Sequence, residues 1–133
     1  MWVNVIVVQN GLGLYQTWAA IASVLNLGFA LNNYEGLSVD DTCWVGVSVI
    51  GVLFLVNFIF DLAMGEKYRY QFTPYLVYIW AFAGIIARDV DPDADYMKLV
   101  LAELVMFGAG LLIKLVVTIA MAVRRPSALE RSN

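Results

Sequence analysis

The sequence predicts an all-α integral membrane bundle of four transmembrane helices, and three observations predict it: composition, apolar runs of spanning length, and the sorting of charge between those runs. Of 133 residues, 62% are hydrophobic and only 14% are charged, against roughly 45–50% and about 25% in a soluble globular domain. Surplus apolar surface of that size has to face lipid. A chain this short makes at most one compact domain, here a transmembrane unit over 1–123 followed by a short polar tail over 124–133, with no room for a soluble catalytic domain.

The first run extends from Met1 to Tyr34 without an acidic or basic side chain. At ~1.5 Å per residue, part of it already crosses a ~30 Å hydrocarbon core. Helix one is expected over about 3–31. It lacks the basic flank of a signal peptide and exceeds the ~7–15-residue apolar core of one, so it is expected to be retained. Asn32, Asn33 and Gly36 interrupt the run, and Ser38 with Asp41 has the spacing of a capping box with Asp in the Glu position. Helix two is therefore expected over 39–62, exiting at Asp61, Lys67 and Arg69.

Helix three is expected over 70–88, with Thr73 as a cap and Pro74 in the first turn. A Pro-kinked helix from Tyr68 is the alternative. The aromatics Tyr68, Tyr70, Phe72, Tyr75, Tyr78 and Trp80 suggest a headgroup-level belt. An acidic loop from Asp89 to Asp95, broken by Pro92, separates it from helix four, expected over 96–123 and stopped by Arg124, Arg125 and Pro126. Helix four is ~42 Å long, so it must tilt or project. Lys67, Arg69, Arg124, Arg125 and Arg131 fall on one side, while Glu35, Asp40, Asp41 and the Asp89–Asp95 cluster fall on the other. By the positive-inside rule both termini are then cytoplasmic.

Composition also excludes function classes. A net charge of −3 provides no basic face for nucleic acid, nor for bulk binding to anionic lipid. The lone Cys43 permits no internal disulfide. The absence of histidine removes the usual haem ligand and the most frequent metal-binding and acid–base side chain, so no metal site and no enzymatic activity are expected.

Two charges sit at membrane depth on helix four, Glu103 and Lys114. Eleven residues place them three turns apart on nearly one face, ~16 Å along the axis and too far to pair. Each costs at least ~2.5–3.5 kcal/mol near the bilayer centre and is expected to face the bundle, a cavity or a partner. For Lys114 the readings are an ion or solute pathway, a partner's carboxylate, or snorkelling toward Arg124. Glu103 reads as interfacial or locally hydrogen-bonded. A retinal-type Schiff base on Lys114 would need a deep counter-ion, and Asp61, the sole candidate, sits at a helix end.

Helix one is unusually polar. Gln9, Gln16 and Ser23 repeat every seven residues and suggest amides bonding across the bundle, with Gly11, Gly13 and Gly28 allowing close approach. A polar small-molecule pocket is the alternative. Asn57 and Asp61, one turn apart, read as a polar pair or as local caps.

Within this helix, Leu14 to Asn26, with Trp18, Ala22 and the Leu25-Asn26 pair on one face, resembles the last helix of the translocator protein / tryptophan-rich sensory protein family. Residues Val8 to Arg125 also look like the C-terminal part of extended animal relatives, in which further spans follow the family core. Thr73-Pro74-Tyr75-Leu76 with Trp80 offers a competing match in helix three. The family is a five-helix bundle that binds porphyrins and sterol-like ligands. The resemblance covers roughly twenty residues of its core and implies that Gln16, Trp18, Ala22 and Asn26 bind a ligand or pack helices, with a tetrapyrrole or a lipid as ligand. Membrane lipid and other membrane chains, or further copies of this one, are the expected partners. An accessory subunit of a membrane complex is the alternative function, and an oligomeric ion or solute pathway a third.

Overall fold

The computed structural model describes residues 3–88 and 93–124 and is helical throughout. A π-helical segment, Asn4–Gln9, runs into α1, Asn10–Tyr34; α2 is Val39–Ala63, α3 Thr73–Ala87 and α4 Asp95–Arg124. Three helical stretches, Val7–Tyr34, Val39–Ala63 and Asp95–Arg124, are long and apolar enough to cross a membrane, whereas α3 has only 15 residues. Asp89 to Pro92 of the acidic loop and the tail beyond Arg124 lie outside the described residues.

The ends of the helices follow from local chemistry. α1 runs three residues past the expected Leu31 because its asparagines serve the helix instead of breaking it. Asn33 donates to the Phe29 carbonyl, and Asn32 reaches over the turn to the Leu37 carbonyl. The stop is Gly36, at φ 68°, the left-handed position that terminates helices at low cost only with glycine. Ser38 caps α2 as expected, accepting from the Asp41 amide at 3.1 Å. Its hydroxyl also donates to the Asp41 carboxylate at 2.7 Å, so the Asp41 side chain meets the Ser38 hydroxyl as well.

α1 packs against α2 and α3, and α4 packs against the same two, which places α1 and α4 at opposite corners. Each helix buries a stripe at three- and four-residue spacing: Gly13, Thr17, Ile21 and Val24 on α1, and Met97, Val100, Glu103, Phe107, Gly110, Lys114 and Thr118 on α4. Glu103 and Lys114 thus both face inward, as their spacing requires. The expected Gln9–Gln16–Ser23 stripe is not the bundle contact. Gln16 and Ser23 are exposed, and the Ser23 hydroxyl bonds back to the Ala19 carbonyl of its own helix. The inward face lies one position along, at Thr17.

The centre of the bundle is aromatic. Phe54 meets Tyr75 and Tyr78 edge-on at 5.8 and 5.3 Å between ring centroids, and lies 4.6 Å from Phe107. Gly110 admits this contact, because a Cβ there would collide with the Phe54 ring. Tyr75 and Tyr78, expected at headgroup level, are core residues, while Trp80 does face outward.

Residues 64–72 do not extend α3 as its expected start at 70 required. They form a folded linker laid against α1 and α4, with Pro74 in the first turn of a helix that begins at Thr73. Phe72, at the cap position, has no capping side chain of its own. Asn10 of α1 replaces it: its Oδ1 accepts from the amides of Phe72 at 3.0 Å and Thr73 at 3.3 Å, while its Nδ2 donates to the Tyr70 carbonyl. Thr73 Oγ1 donates back to the Asn10 carbonyl at 2.7 Å, and Gln71 Nε2 to the Gln9 carbonyl. Gly13 leaves room for the Gln71 side chain, which a Cβ there would displace.

Candidate functional site: a polar cluster beneath the linker

Irregular backbone packed inside a bundle needs partners for its amides and carbonyls. α4 satisfies this linker from below. Lys114 Nζ donates to the Tyr68 carbonyl at 2.9 Å and to Asp61 Oδ1 at 2.7 Å. One turn further along α4, Thr118 Oγ1 donates to the Arg69 carbonyl at 3.0 Å. Asp61 Oδ2 in turn accepts from the Tyr75 hydroxyl at 2.6 Å. Nearby, Asn57 Nδ2 donates to the Tyr78 hydroxyl at 2.9 Å. Helices α2, α3 and α4 therefore meet on one carboxylate, and α1 joins through Asn10.

Three expectations are corrected here. Lys114 is 2% exposed and neither snorkels nor awaits a partner's carboxylate, because its counter-ion is Asp61 of the same chain. Asp61 does sit near the end of α2, but α2 stops short of α4. Lys114 is ten residues from the last residue of α4 and Asp61 two from the last of α2, so α4 overshoots by ~12 Å and the linker covers the overshoot. Asn57 and Asp61 do not pair with each other or cap locally; both reach across to α3 tyrosines.

Glu103 is the third correction. It is 7% exposed, so its carboxyl is turned into the bundle. Its carboxyl lies over Gly51 of α2, where a Cβ would collide with it, and its Oε2 has no hydrogen-bond partner among the described residues. Lys114 and Glu103 share a helix face but not a site.

Beside the Asp61 network is a cavity of about 140 Å³ between α1, α2 and α3. Gln16, Asn57, Asp61 and Gln71 supply polar groups to its wall, and Phe54, Phe58, Tyr75 and Tyr78 supply rings. Of the residues singled out on helix one, only Gln16 reaches it. Trp18, 46% exposed, stacks obliquely on Trp80 at 5.5 Å and borders a separate apolar groove with Leu14, Thr73 and Leu76. Ala22 is partly buried and Asn26 exposed, and neither lines these two spaces. Of the cluster residues, sequence reasoning missed Thr118 altogether, placed Tyr75 and Tyr78 at headgroup level, and had Asn10 only as part of the polar character of helix one.

Comparison with protein-family models, with curated proteins and with solved structures finds no match to this chain.

Proposed function

We propose that the chain spans the bilayer four times, with both termini cytoplasmic, and binds a compact amphipathic ligand between α1, α2 and α3 without catalysing a reaction on it. The cavity beside Asp61 carries this reading. It joins aromatic walls to a few convergent polar groups, the composition of a ligand site. The Tyr78 hydroxyl and the amides of Gln16 and Asn57 give a polar head its hydrogen bonds, and the rings enclose an apolar body. Lys114 is paired with Asp61 and bonded to the Tyr68 carbonyl, which fits a structural ammonium better than a nucleophile. For the short α3, the linker at its N-terminal end adds the missing depth, since Asn10, Lys114 and Thr118 satisfy its backbone.

At about 140 Å³ the cavity falls below the ~300–1,000 Å³ of drug-sized sites. A tetrapyrrole or whole lipid, the ligands implied by the resemblance to the translocator protein / tryptophan-rich sensory protein family, would instead lie in the outer Trp18–Trp80 groove. A second reading, an accessory subunit of a larger membrane complex, is favoured by α1. Asn26 faces outward and hydrogen-bonds to no other described residue, and an exposed amide in a spanning helix is best covered by another helix.

Native mass spectrometry of the full chain in mild detergent tests both. A small adduct on the wild type, lost when Gln16→Trp fills the cavity mouth, is the expected result. A bare mass would sink the ligand reading, and a retained partner chain would favour the subunit. Porphyrin added to the same sample tests the outer groove, where an adduct must weaken in Trp18→Phe.

A further inference from the structure

The end of the bundle that carries the linker holds a second concavity, away from the Asp61 cavity and unused by any reading above. It is a groove of about 750 Å³ between the last turn of α2, the start of the linker and the last turns of α4. Leu62, Ala63, Val117 and Met121 make its walls apolar, and Lys67 and Arg124 stand at its rim. Both basic residues are exposed, and the Lys67 ammonium lies 5.9 Å from the Tyr68 ring. Glu66 also borders the groove, but its carboxylate is directed to Arg69 at 3.8 Å, which leaves the positive rim largely uncancelled. Two helices end here, and their carbonyl termini repel an anion. A bound anion must therefore be met by side chains, and Lys67 and Arg124 are placed for that.

We propose that this groove binds one anionic phospholipid, its phosphate held by Lys67 and Arg124 and an acyl chain laid along Leu62, Val117 and Met121. Basic pockets between helices at the cytoplasmic boundary select anionic headgroups, and the apolar walls select a lipid over a free phosphate. The overall charge of −3 does not oppose this, because the acidic residues of the α1–α2 turn and of the start of α4 belong to the other end. The inference rests on the reading that these helix ends lie at the membrane interface.

The test is lipid retention by the full chain ejected from nanodiscs of equal phosphatidylcholine and phosphatidylglycerol, read by native mass spectrometry. The wild type should retain phosphatidylglycerol over phosphatidylcholine by about five- to thirtyfold, the worth of one to two basic contacts. Lys67→Gln with Arg124→Gln should abolish the preference, while Lys98→Gln, an exposed lysine at the opposite end paired with Asp95, should leave it intact. Equal retention of both lipids, or a preference that survives the double substitution, overturns the proposal alone. Retention of neither lipid overturns the membrane placement with it.

Discussion

Lys114→Met is expected to destabilise the bundle by about 3–5 kcal/mol, the cost of leaving a buried charge without its partner. Asp61, 13% exposed, would keep its bond from Tyr75 but lose the ammonium 2.7 Å away, and the Tyr68 carbonyl would lose its donor. The ion pair need not be net stabilising as a pair, since desolvating two charges offsets much of their attraction. Asp61→Leu combined with Lys114→Met should therefore unfold much closer to wild type than either single variant. Denaturant titration in mixed micelles of the four proteins measures this coupling. Additive losses would mean that the two side chains do not depend on one another.

Phe54→Ala is expected to cost about 2–4 kcal/mol, about 1 kcal/mol below the ~3–5 kcal/mol of phenylalanine truncation in soluble cores. The reduction follows from the proposed bilayer setting: lipid is as apolar as the core, so most of the transfer term would vanish and the lost packing remain. Phe54 touches rings from α2, α3 and α4 at once, through Phe58, Tyr75, Tyr78 and Phe107. Gly110 also approaches the ring too closely to bear a Cβ, so the truncation takes away the ring against which the α4 backbone packs. The same micelle titration measures the loss. An effect below about 1 kcal/mol would mean that the aromatic cluster repacks around the gap.

How much of this was legible in the sequence depends on the range of the interaction. Helix positions followed from uncharged runs and local signals: Ser38 capped α2 where its spacing with Asp41 required, and α4 lies within one residue of its expected ends. Periodicity also put Glu103 and Lys114 on one inward face. Neither could say what met that face, because Asp61 is 53 residues from Lys114 and depth counted along α4 ignored how early α2 ends. The polar character of helix one was visible, but its heptad stripe misassigned the contact. An outer face and a core face can both carry amides, and among the described side-chain amides of helix one Asn10, outside that stripe, is the one that bonds across the bundle. Tyr75 and Tyr78 were misplaced for a related reason. A tyrosine beside a basic segment reads as an interfacial anchor unless a buried acceptor or donor, here Asp61 or Asn57, is known to reach its hydroxyl.

The claim on which the rest depends is that α3 crosses the membrane despite its 15 residues, with the linker satisfied from within the bundle. Lys67, in the linker before it, and Arg88, just after it, are both exposed. Single cysteines at these positions, in a Cys43→Ser background and in sealed vesicles, can be probed with a membrane-impermeant maleimide from one side. The account predicts that 67 and 88 are labelled from opposite sides, with 67 on the same side as a cysteine at 124. Labelling of 67 and 88 from one side would contradict it.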